Sequence, residues 1–219
     1  MKQELKSERS RRLIMDAALD LFSHRGYGAT SVRDIAERAL LSTGSVYHHF
    51  PDKESIYLAL FDEYFAALAD PDFPINKALA SGTFPDNLEL LGKATEKAVR
   101  RYRKHVALIY VDVVEFDGSH IRKFYSEMAS RFERFVAAHG KQDLERRLHP
   151  DVTPASAVML ATRMFLNYFS VEILFGVRNH FGKESDEMIR EIAGILRRGM
   201  LREGAEERSS EGALADATV

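Results

Sequence analysis

The stretch that most constrains this chain is residues 32–50, because it requires two very short helices joined by a tight turn. Apolar residues recur at helical spacing on both sides of that turn, at Val32, Ile35, Ala36, Ala39, Val46 and Phe50. Ser42 is a suitable N-cap for the second helix, so the chain must reverse within two or three residues. Leu40 and Leu41 occupy the turn, where glycine is common because a left-handed backbone costs other residues about 1 kcal/mol or more. Two short helices joined in this way form a helix-turn-helix.

Helices are also predicted before and after this pair. A stripe of apolar residues over 13–22 has helical period and predicts a first helix. Thr30 and Ser31 offer an N-cap for the second helix, and Asp52 caps a fourth over about residues 53–68. Residues 10–50 therefore hold three short helices, and a longer one follows them.

The rest of the chain carries the same helical signal and almost no strand signal. Residues 70–87 are rich in proline and glycine and mark the main break in the pattern. Further helices are expected over residues 88–116, 120–138, 153–177 and 184–202, with a polar loop over 140–151. The predicted fold class is all-α, with an N-terminal three-helix domain and a larger C-terminal helical domain.

Composition excludes several kinds of chemistry. The chain has no cysteine, which removes disulfides, thiolate zinc sites and cysteine nucleophiles. It has no clustered metal-binding His, Asp or Glu spacing and no phosphate-binding glycine loop, so we expect no enzyme, no metal and no cofactor. No apolar run reaches the ~18 residues of a membrane span and no signal peptide is evident, so we expect a cytoplasmic protein with no membrane partner.

The N-terminus is basic, although the formal net charge of the whole chain is −2. Five basic residues stand against two acidic ones within residues 1–12: Lys2, Lys6, Arg9, Arg11 and Arg12. A basic arm of this kind is either a frayed, solvated terminus or a segment that contacts phosphate.

The second helix of the pair presents a polar outer face. With Val46 and Phe50 turned inward, the outer face and the N-terminal end carry Thr43, Gly44, Ser45, Tyr47 and His48. Hydroxyl, amide and imidazole groups are suited to hydrogen bonds with phosphates and base edges. The alternatives are that Tyr47 is a half-buried core ring and that His48 is an ordinary surface residue.

At this point a family resemblance is evident in the stretch GYGATSVRDIAERALLSTGSVYHHFPDKESIY. It resembles the N-terminal DNA-binding domain of the TetR family of bacterial transcriptional regulators, over about residues 10–60. The resemblance implies that Tyr47 and Lys53 bind backbone phosphate. It further implies phosphate contacts or major-groove positions at Thr30, Ser31, Arg33, Ser42, Thr43, Ser45 and His48. One departure is Leu40, since family members usually have glycine there; Leu41 matches a buried aliphatic position.

The resemblance also implies a division into domains and a pair of partners. Residues 1–52 would be the DNA-binding domain, residues 53–203 a ligand-binding and dimerisation domain, and residues 204–219 a disordered tail. The helices over 153–177 and 184–202 would form a homodimer interface that includes Leu160, Met164, Phe169, Ile192, Ile195 and Leu196. Burial of this apolar surface inside the monomer is the alternative.

A small-molecule effector is expected in the C-terminal helices. Polar and aromatic side chains within apolar helices are typical of a pocket lining, and the candidates are Tyr102, His105, Tyr110, Asp112, Phe116, Phe132, Phe165 and Tyr168. Ordinary core or surface roles are the alternative. If Asp112, Glu115 or Glu172 lies buried and unpaired, a cationic effector is favoured; otherwise a neutral apolar one is expected.

The predicted function is a homodimeric regulator, a repressor released from a pseudo-palindromic double-stranded DNA operator by the effector. Two rivals remain at this point. One is an enzyme, which the absence of a catalytic pattern disfavours. The other is an architectural DNA-binding protein that reads mainly phosphate, which would bind without sequence preference.

Overall fold

A computed structural model describes residues 2–81, 84–138 and 140–202 of the chain. These residues form α-helices, and the described part of the chain contains no β-strand beyond one isolated antiparallel bridge between Leu148 and Leu201. The prediction of an all-α protein is confirmed. The predicted disordered tail, residues 204–219, lies outside the described residues.

Ten helices follow one another along the described chain. They are α1 (Lys2–Arg25), α2 (Val32–Arg38), α3 (Thr43–His49), α4 (Lys53–Ala69), α5 (Pro74–Ala80), α6 (Leu88–Glu115), α7 (Ile121–Ala138), α8 (Lys141–Arg147), α9 (Pro154–Ile173) and α10 (Ser185–Met200). Side-chain caps begin three of them where the sequence predicted, at Ser31, Ser42 and Asp52. Thr153 caps α9 in the same way, with proline at the first helical position.

The chain forms two compact units. The first contains residues up to 73 together with 101–126, and the second contains residues 74–100 and those from 127 onward. α4 and the C-terminal part of α6 therefore belong to the same unit as α1, α2 and α3. The domain boundary between residues 52 and 53 stays a prediction from the sequence. The chain passes between the two compact units after residues 73, 100 and 126.

The first unit has an apolar core built from the inner faces of its helices. Its side chains include Ile14, Ala18 and Phe22 of α1, Ile35 and Ala36 of α2, Val46 of α3 and Ile56, Tyr57 and Leu60 of α4. Alanines at two of these positions allow the helices to approach closely. Tyr57 lies at the centre, where its ring contacts Phe22, Tyr27 and Phe116, and its hydroxyl donates to the Leu108 carbonyl over 2.9 Å.

The second unit is built around the buried face of α9. Phe165 and Phe169 are fully buried there, together with Ile189 of α10. Gly92 of α6 permits this packing, since a Cβ at that position would lie 2.9 Å from both Ile189 and Phe165. Arg197 adds a polar contact by pairing with Glu89, and this hydrogen bond holds the pKa of Glu89 below its ordinary value.

Four predictions about the helices were wrong. α1 is not one of three short helices, since it runs over 24 residues from Lys2 to Arg25 and is longer than α4. α5 lies inside the predicted break because Ile75, Ala78 and Leu79 bury one face of a single short helix after Pro74. α8 occupies the predicted polar loop, since Leu144 is buried while its charged neighbours are solvated. α9 ends at Ile173 instead of residue 177, shortly before Gly176, which has φ +70°.

Candidate nucleic-acid interface

The turn between α2 and α3 uses a left-handed backbone at Leu40, with φ +56°. The Leu40 N–H donates to the Glu37 carbonyl over 3.1 Å, and the Leu41 N–H donates to the Ala36 carbonyl over 2.9 Å. These two bonds define a Schellman motif, which normally has glycine at the left-handed position. Leu40 is 92% exposed, so no packing of its side chain offsets the backbone cost.

Leu41 has the opposite environment, since it is partly buried and packs against the core of the first unit. The buried aliphatic position that the family resemblance implies for Leu41 is thus consistent with its surroundings. Packing therefore explains an apolar residue at Leu41 but not at the exposed Leu40.

The start of α2 is held by a reciprocal cap. The Ser31 hydroxyl accepts the Asp34 N–H over 3.1 Å, and the Asp34 carboxylate accepts the Ser31 N–H over 2.7 Å. Ser31 and Arg33 are exposed at this end of α2. Thr30 is different: it is 1% exposed and its hydroxyl donates to the Gly26 carbonyl over 2.9 Å. Its side chain is therefore unavailable for phosphate, which corrects the expectation from the sequence.

α3 separates a buried face from a polar one. Val46 and Phe50 are buried, and the Ser42 hydroxyl accepts the Ser45 N–H over 3.1 Å at the start of the helix. Tyr47 is 53% exposed. The exposed polar face of α3 consists of Ser42, Thr43, Gly44, Tyr47 and His48, with Ser45 half-buried at its edge.

Lys53, at the start of α4, contacts the turn between α1 and α2. Its ammonium donates to the carbonyls of Tyr27 and Thr30 over 2.8 and 2.9 Å and lies 3.9 Å from the centre of the Tyr27 ring. Two of its three N–H donors are thus used within the protein.

The basic N-terminus is helical, since α1 begins at Lys2. Arg12 is bound on two sides by acidic groups: both oxygens of Glu63 accept from its guanidinium over 2.9 Å, and Asp16 pairs with it over 2.6 Å. The hydrogen bonds that Arg12 donates to Glu63 are the main reason that the pKa of Arg12 is raised. The positive charge of Arg12 is therefore compensated by Glu63 and Asp16 within the first unit.

Five of the predicted effector-binding residues lie in the first unit, at Tyr102, His105, Tyr110, Asp112 and Phe116. His105 is buried, stacks on Tyr64 at 5.5 Å and contacts Tyr102 edge-on at 5.7 Å. Burial lowers the pKa of His105, so its ring is neutral at pH 7, and its Nε2 has no hydrogen-bond partner among the described residues. Tyr110 is about half exposed.

Phe116 packs into the aromatic core with Tyr27 and Tyr57. The other three predicted residues belong to the second unit. Phe165 is fully buried, Tyr168 stacks on His180 at 5.0 Å, and Phe132 is half-buried.

The three carboxylates that would favour a cationic effector all have partners within the protein. Asp112 is fully buried and accepts from His120 Nδ1 over 2.6 Å and from the Ile121 N–H over 3.0 Å. Glu172 pairs with His180 over 2.9 Å. Glu115 accepts the backbone N–H groups of Tyr27 and Gly28. The condition for a cationic effector is not met.

The six predicted interface residues divide by exposure. Leu160, Met164 and Ile195 are 54%, 46% and 52% exposed. Phe169, Ile192 and Leu196 are buried inside their own chain. The second group supports α9 and α10 from within and has little surface to offer a partner, which corrects the expectation for those three residues.

Glu115 makes a contact that sequence reasoning missed, because the residue was considered only as a pocket group or as part of a solvated helix edge. Its partners lie 87 and 88 residues earlier in the chain. The only local sign of this contact is a pair of glycines around Tyr27, and those glycines do not point to a particular acid.

The exposed polar face of α3, its Schellman turn and the capped α2 define a helix-turn-helix protein of the DNA-binding class. The family profile described as bacterial regulatory proteins, tetR family, matches residues 14–60. This match lies in the helix-turn-helix part of the chain and supports a TetR-type transcriptional regulator.

Comparison with individual proteins agrees with this assignment. The chain is 33% identical over 121 residues to the HTH-type transcriptional repressor KstR2 of Rhodococcus jostii. The aligned region covers 54% of this chain and 57% of the relative. It is 31% identical over 104 residues to the uncharacterized HTH-type transcriptional regulator YuxN of Bacillus subtilis, covering 48% of this chain and 30% of YuxN. The chain thus spans between about a third and just over half of the length of these curated relatives.

Solved structures extend the likeness to the whole fold. A TetR family transcription regulator from Marinobacter aquaeolei superimposes with a TM-score of 0.64 at 18% identity, covering 92% of this chain and 99% of the other. NalD of Pseudomonas aeruginosa gives a TM-score of 0.60 at 20% identity, covering 90% and 99%. Within the described part of the chain, no helix has the length and apolar character needed to cross a membrane.

Proposed function

We propose that this protein is a homodimeric repressor that binds a pseudo-palindromic operator and is released from it by a small molecule. The observation that carries the proposal is the exposed polar face of α3, held outward by the buried Val46 and Phe50. The relative KstR2 is named a transcriptional repressor, which supports repression over activation for this protein.

The proposed contacts fall into two groups. Ser31, Arg33, Tyr47 and Lys53 bind backbone phosphates, where positive charge and hydroxyl donors position the protein without reading sequence. Thr43, Ser45 and His48 lie near base edges in the major groove, with Ser42 and Gly44 at the end of the helix that enters it. Thr30 is omitted because its side chain is buried.

Dimerisation is proposed through the exposed apolar residues of α9 and α10. Leu160, Met164 and Ile195 supply apolar surface that a second copy would remove from water. A symmetric dimer also matches the requirement that two recognition helices reach successive major grooves, about 34–36 Å apart.

The proposed effector is a neutral molecule with a hydrogen-bonding group. Asp112, Glu115 and Glu172 all have partners, which leaves no buried unpaired carboxylate among these three for a cation. His105 Nε2 is a buried atom without a partner, and such an atom costs about 1–3 kcal/mol that a ligand hydrogen bond would remove. Effector and operator then oppose each other's binding, because each favours a different position of α4.

The test uses fluorescence anisotropy to measure how the purified protein binds inverted repeats from the DNA that flanks its gene. Arg33→Ala should weaken binding to all sequences alike and reduce the salt slope by about one, since one phosphate contact is lost. Thr43→Ala should instead change the preference among base substitutions in the repeat, by about 1–3 kcal/mol at one position.

Two results would contradict the proposal. Equal effects of Arg33→Ala and Thr43→Ala on every sequence would indicate an architectural protein that reads phosphate alone. An operator affinity that stays the same with every small molecule that binds the protein would rule out the proposed release.

A further inference from the structure

The turn between α1 and α2 is bound by a carboxylate from the end of α6. Glu115, the last residue of α6, accepts the Tyr27 N–H with Oε1 over 2.7 Å and the Gly28 N–H with Oε2. Each oxygen therefore serves one backbone donor. Bonds from N–H groups to an ionised carboxylate are stronger than those to neutral acceptors.

The two glycines that flank Tyr27 leave room for this carboxylate. A Cβ at Gly26 would lie 2.6 Å from Glu115 Oε1, and a Cβ at Gly28 would lie 2.9 Å from Oε2. Gly26 has φ +86° and needs glycine for its backbone as well. Gly28 is not among the residues with positive φ, so its missing side chain is explained by the closeness of Glu115.

The other side of the same turn holds groups assigned to DNA contact. The carbonyls of Tyr27 and Thr30 accept from the Lys53 ammonium, and Thr30 directly precedes Ser31, the N-cap of α2. The donors of the turn thus face α6, and its acceptors face the start of α4. A displacement of the Glu115 carboxylate would be transmitted through this turn to Lys53 and to the start of α2.

We propose that Glu115 is a positioning residue for operator binding, which holds the α1–α2 turn so that Lys53 and the start of α2 meet phosphate together. Glu115 itself contacts no DNA. The inference rests on the proposed function and adds to it the contact through which α6 acts on the DNA-binding helices.

Two variants remove the contact from opposite sides. Glu115→Gln keeps the shape but places an amide N–H₂ against one of the two backbone donors. Gly28→Ala keeps Glu115 and displaces its carboxylate with a Cβ. Glu133→Gln is the matched control, because Glu133 is an exposed glutamate of α7 and its loss changes the net charge equally.

The measurements are operator affinity by anisotropy and the amide resonances of Tyr27 and Gly28 in ¹H–¹⁵N spectra of the full chain. Both variants should lose at least about fivefold in affinity and shift the Tyr27 resonance, and Glu115→Gln should also shift that of Gly28, whereas the control should change none of these. The double variant should be no weaker than the weaker single variant, because both changes remove one contact.

The outcomes separate this inference from the proposed function. If the wild-type protein binds no inverted repeat, the proposed function is wrong, and this inference fails with it. If the wild-type protein binds but Glu115→Gln and Gly28→Ala retain full affinity despite shifted amide resonances, the positioning role of Glu115 alone is wrong. Additive losses in the double variant would also overturn it.

Discussion

At the scale of single residues, Leu40 stands apart because its backbone and its side chain are both in unfavourable surroundings. A non-glycine residue in the left-handed region costs about 1–2 kcal/mol, and a 92% exposed leucine recovers nothing by burial. The two hydrogen bonds of the Schellman motif hold the residue there. Leucine departs here from the glycine usual in the family, and the turn nevertheless keeps the left-handed backbone.

Leu40→Gly should stabilise the first unit by about 0.5–1 kcal/mol. The free energy gained by relieving the left-handed strain is larger than the free energy lost through the extra entropy that glycine gives the unfolded chain. Urea denaturation followed by circular dichroism measures the change. Leu40→Ala is the control, since alanine retains the strain, and equal stabilisation by both changes would contradict the explanation.

At the scale of elements, Asp20 of α1 joins three helices. Its carboxylate pairs with Arg38 of α2 and with Lys104 of α6, each over 2.6 Å. The hydrogen bond from Lys104 is the main reason that the pKa of Asp20 is lowered from its ordinary value of 3.8, with a smaller contribution from Arg38. The stabilisation is complete above pH 3.8 and is lost as the pH falls through the lower folded value.

Asp20→Asn should therefore destabilise the protein by about 1 kcal/mol near neutral pH, and the difference from wild type should shrink as the pH falls below 3.8. Urea denaturation at a series of pH values measures it. Asp62→Asn, at an exposed position of α4, is the matched control and should leave the pH dependence unchanged. A constant difference at all pH values would show that the loss does not depend on the charge of Asp20.

Helix starts were the best-predicted elements. Ser31, Ser42 and Asp52 cap their helices through backbone N–H groups three residues later, and a signal of that range is visible in the sequence. α5 was missed because it lies in a stretch rich in proline and glycine, and α8 because it begins at Gly140 without a side-chain cap. The equally short α2 and α3 were predicted because each begins at a capping serine.

At the scale of the whole molecule, the proposed dimer depends on the exposed apolar residues of α9 and α10. Leu160→Asp should raise the dimer dissociation constant by about ten- to a hundredfold, because a charge would be buried without a partner. It should also weaken operator binding, since a monomer presents one recognition helix. Sedimentation velocity and anisotropy measure the two effects.

Leu90→Asp introduces the same change at another exposed leucine, in α6, and serves as the control. Equal dissociation by both variants would argue against α9 and α10 as the interface. A chain that is monomeric before any substitution would contradict the dimer itself.

The sequence by itself determined the helical class of the protein, the caps of α2, α3 and α4, and the helix-turn-helix. Each of these depends on apolar periodicity or on contacts within a few residues, which a single stretch of sequence contains. Only the tertiary structure decided that Thr30 faces inward, that Phe169 supports its own core, and that Glu115 binds the turn at Tyr27 and Gly28. These outcomes depend on burial and on partners up to 88 residues apart, and neither is encoded in local spacing.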